Sequence, residues 1–446
     1  METPICDFAA KYAKSGALRL HMPGHKGAVL TGVEPLDITE IDGADDLYEA
    51  DGIIRKSEEN AGRLFGCRTF YSTEGSSQCI RAMLYLVLQY ALQTGKKPLI
   101  AAGRNAHKTF LSGAALLDLD VMWLYPEKAD SYLSCVLEAA ELDAILTAVP
   151  EKPVAVYLTN PDYLGNLADV AGLAKVCHNH GVLLVVDNAH GAYLRFLEPS
   201  QHPMDLGADL CCDSAHKTLP VITGGAYLQV SHTAPDLLAA QAKTALALFG
   251  STSPSYLIMQ SLDRANAYLE DHPRRLAQFL PHVEQLKARL QAHGYHLYGK
   301  EPMKITLEAK PFGYTGDALA EKLMERGIFC EFHDPDYLVL MVTPETGIEG
   351  LARLEQALLA ISPETPILQQ APAFHRGERV CSIRQAMLSC QETIPASQSC
   401  GRILAAATVG CPPAVPILAC GERIDAHAVA CFAYYGIEHC TVMCSR

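Results

Sequence analysis

Positive charge is scarce in this sequence. Its 36 lysine and arginine residues are outnumbered by 50 aspartate and glutamate residues, which gives a formal net charge of -14. A chain with this balance repels phosphate groups, so a function in non-specific binding to nucleic acid or to acidic lipid is disfavoured. The same balance suits a cationic substrate, although a net charge locates no site.

The sequence also lacks a signal for export and a run that would form a membrane-spanning helix. Its first residues do not combine a basic start with an apolar core, so no secretory signal is expected. The longest apolar stretch, 403–421, contains Pro412, Pro413 and Pro416, which would break a helix there. We therefore predict a soluble, cytoplasmic protein.

Cysteine is abundant, but the pattern of a disulfide framework is missing. The 16 cysteines are scattered through apolar runs and do not frame short loops. This distribution is typical of reduced, buried thiols in a cytoplasmic protein. Cys440 and Cys444 have a spacing that metal ligands use, yet no second pair follows at a suitable distance along the chain. No metal is expected.

The length of 446 residues is too great for one compact core and indicates several domains. The segment 1–60 is rich in glycine, proline and aspartate, which predicts irregular chain with short helices. We expect a large domain over 61–265, a small α+β domain over 266–362 and a C-terminal module over 374–446.

Short apolar strands alternate with helices from about residue 75 onwards. The predicted strands are 99–102, 121–124, 154–158, 182–187, 208–212 and 225–230. Continuous apolar strands separated by helices are typical of a mostly parallel sheet that is covered on both faces. The sequence therefore predicts an α/β fold.

Two charged residues stand at the ends of successive buried strands. Asp187 closes one strand, and Lys217 lies just past the next. A partly desolvated lysine offers a neutral amine for imine chemistry, and an aspartate can pair with a protonated pyridine nitrogen. Each residue alone has an ordinary alternative, a helix cap for Asp187 and a solvated surface charge for Lys217. Together they predict a site for pyridoxal phosphate (PLP).

A phosphate needs its own binding turn, and one is predicted before the helix that begins near Ile80. Glycine allows close backbone approach, serine supplies hydroxyl groups, and a helix N-terminus favours an anion. The candidate phosphate ligands are Gly75, Ser76, Ser77, Ser214 and His216. A helix cap without a ligand is the ordinary alternative for the turn.

His107 follows the predicted strand at 99–102. An imidazole at this position can stack on a planar cofactor. A hydrogen-bonded loop residue is the alternative interpretation.

Five segments then form a specific combination: HMPGHKG (21–27), RNAHKT (104–109), DNAHGA (187–192), SAHKTLP (214–220) and PPAVPILACGE (412–422). Together they resemble the bacterial ornithine/lysine/arginine decarboxylases over nearly the whole chain. The similarity is to the shorter members, which have no N-terminal receiver-like domain. It implies the aspartate-aminotransferase-like fold, called fold type I, with smaller α+β C-terminal domains. It also implies PLP-dependent decarboxylation of a basic amino acid.

The resemblance implies a role for each candidate residue. Lys217 would hold the cofactor as a Schiff base, and Asp187 would pair with the pyridine nitrogen. His107 would stack on the ring, and His190 would lie near its phenolic side. The phosphate ligands would be Gly75, Ser76, Ser77, Ser214 and His216. Because fold type I enzymes build their sites across a dimer interface, a homodimer is expected, with Thr252 as a candidate contact to the phosphate of the neighbouring subunit.

Two residues depart from the family's pattern. Glu74, in the phosphate-binding turn, has no obvious counterpart and is expected outside the site. Asn188 replaces an acidic residue that is frequent after the aspartate, which predicts an altered hydrogen-bond network around the ring.

The substrate stays open among lysine, arginine and ornithine, with lysine or arginine slightly ahead. The acidic candidates for its side chain are Asp42, Asp45, Asp46, Glu49, Glu331 and Asp334. Another fold type I reaction, such as transamination or aldol cleavage, is the alternative function. A transaminase would need an arginine that clamps the α-carboxylate, for which Arg384 and Arg402 are candidates.

Overall fold

A computed structural model gives the structure of residues 1–127, 131–374, 376–406 and 415–444. The helices are α1 (Pro4–Lys14), α2 (Ile53–Phe65), α3 (Gly75–Thr94), α4 (Lys108–Leu117), α5 (Ala139–Ala148), α6 (Val170–Asn179), α7 (Ala215–Thr218), α8 (Asp236–Ala240), α9 (Ala242–Ala247), α10 (Tyr256–Leu269), α11 (His272–His293), α12 (Gly316–Met324), α13 (Gly347–Leu359), α14 (Ile383–Met387) and α15 (Ala426–Tyr434). The strands are β1 (Arg68–Ser72), β2 (Leu99–Gly103), β3 (Asp120–Leu124), β4 (Ala155–Thr159), β5 (Leu183–Asp187), β6 (Leu210–Asp213), β7 (Ala226–Val230), β8 (His296–Tyr298), β9 (Lys304–Glu308), β10 (Phe332–His333), β11 (Tyr337–Met341), β12 (Glu378–Arg379), β13 (Gln391–Pro395), β14 (Glu422–Arg423) and β15 (His439–Met443).

Seven of the strands form one sheet, in the order β1-β7-β6-β5-β4-β2-β3. The pairs β5–β6 and β2–β3 are parallel, whereas β7 runs antiparallel to β1 and β6. The predicted α/β fold with a mostly parallel sheet is confirmed. Each of the six predicted strands corresponds to one strand from β2 to β7. Sequence reasoning missed β1, an edge strand whose polar residues Arg68, Thr69 and Ser72 interrupt the apolar pattern.

The chain divides into two compact units. The first comprises Met1–Pro98, Val154–Val156 and Val170–Arg274. Its strand β5 is buried along its whole length, as are β6 and β7. The parallel register aligns Asp187 at the end of β5 with Cys212 in β6. The carboxyl ends of these two strands therefore lie side by side, which is where a doubly wound sheet binds its ligands.

The second unit comprises Leu99–Pro153, Tyr157–Asp169 and Arg275–Arg446. A four-stranded antiparallel sheet in the order β10-β11-β9-β8 lies in this unit, together with α12 and α13. Two short two-stranded sheets follow, β12–β14 and β13–β15. These elements confirm the predicted smaller α+β regions. The domain boundaries proposed from the sequence stay predictions.

Arg104 links the early and late segments of this second unit. Its guanidinium group donates to the carbonyl oxygens of Pro416 and Ile417, each at 3.0 Å, and to Glu422 Oε2 at 3.2 Å. Arg104 and Glu422 are both only 2% exposed. A buried, hydrogen-bonded ion pair of this kind fixes the local arrangement of the chain. Arg104 thus has a structural role within the RNAHKT segment.

The apolar stretch 403–421 is not helical over its described residues. Ile403 and Leu404 form β-bridges with Arg423 and Val442. The first three residues of the PPAVPILACGE segment, which include Pro412 and Pro413, lie outside the described residues. In the described part of the chain, no helix is both long enough and apolar enough to cross a membrane.

Candidate active site

Asp187 is a buried carboxylate at the carboxyl end of β5, with 2% of its surface exposed. Its Oδ1 accepts from the backbone amide of Ala189 at 3.2 Å and from Cys212 Sγ at 3.6 Å. The next helical turn, Ala192–Phe196, has Gly191 at its N-cap. Asp187 is therefore not the cap of that turn, which removes the ordinary alternative interpretation. Burial and the charge of Asp187 raise the pKa of the Cys212 thiol, so Cys212 stays protonated and donates to Asp187.

Lys217 and His190 are in direct contact. Lys217 lies in the short helix α7 and is half-buried, and its Nζ is 2.9 Å from Nε2 of the buried His190. This contact joins the DNAHGA and SAHKTLP segments, which are separate in the sequence. A lysine held in this way is not a freely solvated surface charge. Two nitrogen atoms at hydrogen-bond distance can exchange a proton, which is what an amine needs in order to act as a nucleophile.

The N-terminus of α3 forms the predicted phosphate-binding turn. Ser76, in its first turn, accepts a hydrogen bond from Ser214, with 2.7 Å between the two Oγ atoms. Gly75 has a φ of +71°, a conformation that disfavours any other residue, and its amide donates to Gly224 O at 2.7 Å. Ser77 is half-buried in the same turn. The structure thus brings together Gly75, Ser76, Ser77 and Ser214 at the end of a 20-residue helix.

His216 is held by the backbone beside this turn. Its Nδ1 is 3.0 Å from Gly225 O, so Nδ1 donates to this carbonyl oxygen, and its amide donates to the same oxygen at 3.2 Å. These contacts fix the orientation of the imidazole.

Glu74 and Thr252 lie near the start of α3 but differ in their contacts. Glu74 is exposed, and its carboxylate accepts from the amide of Ser251. Gly250 packs so closely on Tyr48 that a Cβ atom would lie 2.0 Å from the tyrosine hydroxyl oxygen. Thr252 itself is exposed. Glu74 thus anchors the loop that carries Thr252, and the contact of Thr252 with a second subunit stays a prediction.

His107 belongs to the second unit and forms the N-cap of α4. Its Nδ1 accepts from the amide of Thr109 at 3.1 Å and is 2.9 Å from Thr109 Oγ1. The ring is half-buried and has a fixed orientation. These contacts agree with the alternative interpretation as a hydrogen-bonded loop residue. Stacking of His107 on a cofactor stays a prediction.

Sequence reasoning missed a buried polar network beside Asp187. The Asp213 carboxylate accepts from Asn188 Nδ2 at 2.6 Å and from His202 Nε2 at 3.1 Å. Asn188, His202 and Asp213 are all 0% exposed. The network joins the residue that follows Asp187 to the end of β6, where the segment that carries Lys217 begins. The sequence pattern that could have found Asp213 is the one that found Asp187, namely an aspartate at the end of an apolar strand.

His202 and Asp213, together with Cys211, also have the spacing of metal ligands. The hydrogen bonds from Asn188 and His202 already occupy the Asp213 oxygen atoms. The polar network therefore accounts for this cluster without an ion.

The acidic residues proposed for the substrate side chain have several different environments. Asp45 accepts hydrogen bonds from the backbone amides of Asp46, Asp51, Gly52 and Ile54. Asp46 accepts from the amides of Tyr48 and Glu49, and Glu331 from the hydroxyl of Tyr163. Burial raises the pKa of Asp334 to about 7. Asp42 and Glu49 are exposed. Asp45 and Asp46 thus stabilise the loop before α2, a role that the sequence did not reveal.

The two arginines considered as carboxylate clamps make structural contacts. Arg384 donates to the carbonyl oxygens of Ala115 and Leu116 at the C-terminal end of α4, at 2.9 and 3.1 Å. Arg402 donates to Glu392 and, at 2.6 Å, to Met443 O. Both guanidinium groups therefore hold backbone segments within the second unit.

Comparisons with known proteins identify a family for this chain. The family model described as "Orn/Lys/Arg decarboxylase, major domain" matches residues 3–306. An arginine decarboxylase from Bacillus subtilis is 28% identical over 95% of this chain and 91% of its own length. An uncharacterised protein of the same organism, YaaO, is also 28% identical, over 96% of this chain and 93% of its own length.

Solved structures of low sequence identity share the fold. The lysine decarboxylase LdcF of Francisella novicida superimposes with a TM-score of 0.80 at 16% identity, covering 98% of this chain and 79% of that one. The constitutive lysine decarboxylase of E. coli gives a TM-score of 0.79 at 17% identity, and the superposition covers 99% of this chain and 82% of that one. The aspartate-aminotransferase-like fold is thereby confirmed. From the family match and this fold, the chain belongs to the Orn/Lys/Arg decarboxylase family of PLP-dependent enzymes.

Proposed function

We propose that this enzyme removes the α-carboxylate of a basic L-amino acid, lysine, arginine or ornithine, as carbon dioxide and releases the corresponding amine. The observation that carries the proposal is the 2.9 Å contact between Lys217 Nζ and His190 Nε2, beside the buried carboxylate that ends β5. The relatives support a basic substrate, since the curated ones include arginine decarboxylases and the solved ones lysine decarboxylases.

The residues of the first unit fit PLP. The hydroxyls of Ser76 and Ser214 meet at the N-terminus of a long helix, where backbone amides favour a phosphate. Asp187 is buried, as a partner for a protonated pyridine nitrogen should be. When bound, PLP accepts the electron pair that is left at Cα as carbon dioxide departs.

Each side chain then has a defined task. Asp187 would hold a proton on the ring nitrogen, and its negative charge would stabilise the developing charge of the transition state. His190 would take a proton from Lys217 Nζ, which leaves a neutral amine for bonding to the cofactor aldehyde. Either residue would later return a proton to Cα. Ser76 and Ser214 would hold the phosphate, together with Gly75, Ser77 and His216.

We further propose a cytoplasmic homodimer. In this arrangement Thr252 of one subunit contacts the phosphate in the other, and His107 stacks on the ring. The exposure of Thr252, on a loop anchored beside the α3 N-terminus, agrees with a contact to a second subunit. Light scattering of the purified protein would give the mass of the assembly.

The test is a direct assay. Purified protein with PLP is incubated with L-lysine, L-arginine or L-ornithine, and carbon dioxide and amine are measured. We expect equal amounts of both products from at least one of the three. Lys217→Ala should lose this activity and the visible absorbance of bound cofactor. The exposed Lys175→Ala on α6 is the matched control and should keep both. Formation of a keto acid without carbon dioxide would contradict the proposal.

A further inference from the structure

The second unit contains a cavity of about 640 Å³ that is lined by none of the predicted cofactor ligands. Its walls come from the segment 366–374, from the antiparallel sheet at Tyr298, Glu308 and Tyr337, and from α15. Cavities of this size bind small organic molecules.

Tyrosine rings form much of the wall. Tyr298 and Tyr337, on neighbouring strands, have ring centroids 5.4 Å apart. Tyr132 and Tyr435 form a second pair, with ring centroids 5.0 Å apart and an interplanar angle of 68°, so that one ring meets the other edge-on. Aromatic faces attract cations through their quadrupole, and clusters of such rings are used to bind organic ammonium groups. The tyrosines therefore favour a ligand that combines an apolar body with a positive charge.

The charges in the wall have the sign that complements such a ligand. Lys310 is neutralised within the wall, because its Nζ is 2.7 Å from Asp336 Oδ1. Glu308 has no lysine or arginine partner among the described residues, and His296 Nδ1 is 3.8 Å from its Oε2, beyond hydrogen-bond distance. Burial raises the pKa of Glu308, an effect that the nearby His296 partly offsets. A cationic ligand would restore the interactions that this carboxylate loses when it leaves water.

Asp336 pairs with its neighbours inside the wall. Its Oδ1 accepts from Lys310 and, at 2.7 Å, from the hydroxyl of Tyr434. Its Oδ2 is buried and has no hydrogen-bond partner in the described structure. The Lys310–Asp336 pair is therefore closed within the wall, and Glu308 is the carboxylate that remains for a ligand.

We propose that this cavity is a binding site for a small aliphatic amine or guanidine, with its cation held between Glu308 and the tyrosine rings. The argument does not depend on the proposed decarboxylation, since it uses only residues of the cavity. If the protein is a decarboxylase of basic amino acids, amines of this class are its own products, and the site would sense them.

Isothermal titration calorimetry tests the proposal on the full-length protein, with 1,5-diaminopentane and agmatine as probes. Lys217→Ala protein is used beside the wild type, so that binding in the cavity is separated from binding at the cofactor. We expect at least one probe to bind both proteins equally, and the uncharged 1,5-pentanediol to bind neither. Glu308→Gln should weaken the binding about tenfold or more. Glu325→Gln, which removes an exposed carboxylate of the same unit, should leave it unchanged.

Several results would overturn the site. Binding of neither amine, equal binding of the diol, or unchanged affinity in Glu308→Gln would each exclude a cation site. Loss of binding in Lys217→Ala would place the amine at the cofactor. If Glu308→Gln protein is unstable, a second measurement uses wild-type protein alone. A fluorinated amine is bound to it, and its displacement by diaminopentane is followed by 19F NMR. Absence of decarboxylase activity, with amine binding intact, would refute only the proposed function.

Discussion

Asp213 illustrates how a single buried residue can organise the candidate site. It carries a negative charge with no solvent exposure and is stabilised by the side chains of Asn188 and His202. These bonds connect the residue after Asp187 with the segment that leads to Lys217. The asparagine that departs from the family's pattern is therefore a donor in this network, where an acidic residue would repel the Asp213 carboxylate.

Asp213→Ala should destabilise the protein strongly. The substitution leaves the buried His202 and Asn188 without their acceptor, which we expect to cost about 3 kcal/mol of unfolding free energy. Urea unfolding followed by circular dichroism measures the change. Glu321→Ala, at an exposed residue of α12, is the control and should cost less than about 0.5 kcal/mol. A loss below about 1 kcal/mol in Asp213→Ala would show that the network does not hold the two segments.

At the scale of elements, the N-terminus of α3 brings together several weak signals. A serine pair, a glycine with positive φ and the N-terminus of a long helix combine at one point. None of these features specifies an anion site alone. Their convergence results from the adjacency of β1, β7 and β6, since the turns beside these strands carry Gly75, Gly224 and Ser214.

Ser76→Glu should therefore weaken the affinity for PLP. A carboxylate in the first turn of α3 would occupy the helix N-terminus and repel the phosphate, so we expect the Kd to rise at least tenfold. Ser76→Ala, which removes only one hydroxyl, should raise it by less. Absorbance titration of the apo protein with PLP measures both values. Equal affinities for the wild type and Ser76→Glu would exclude this turn as the phosphate site.

At the scale of the whole molecule, the predicted distribution of cysteines is confirmed for most of the described ones. Nine of the fifteen described cysteines are buried, including Cys79, Cys177 and Cys211. Burial raises the pKa of these thiols, to about 12 for Cys177, so they remain protonated at physiological pH. Cys390 and Cys400 are exposed.

Thiol reactivity should follow this distribution. With Ellman's reagent at pH 8, Cys390 and Cys400 should react rapidly, whereas the buried cysteines should react only after unfolding in guanidinium chloride. The reason is that a thiol whose pKa is raised to about 12 has little thiolate at pH 8, and burial also blocks the reagent. Mass spectrometry of labelled peptides identifies the reacting residues. Fast labelling of Cys177 in native protein would contradict this assignment.

Local sequence patterns alone determined much of this protein. The apolar runs predicted β2 to β7 because continuous apolar strands must be buried, and the ends of β5 and β6 made Asp187 and Lys217 candidates for the cofactor site. These inferences need only neighbours along the chain. The edge strand β1 was missed because its polar residues Arg68, Thr69 and Ser72 interrupt the apolar pattern, although Thr69 and Ser72 are buried in the fold.

Only the tertiary structure determined which side chains meet. Lys217 could have been paired with any nearby acceptor, and the contact with His190 follows from the parallel register of β5 and β6. The same holds for the bonds of His202 to Asp213 and for the amides that bind Asp45. The cavity beside Glu308 joins strands to a helix more than a hundred residues away in sequence, as the partners Lys310 and Tyr434 show with a separation of 124. Contacts of this kind depend on how elements pack, and packing brings together residues that no local pattern relates.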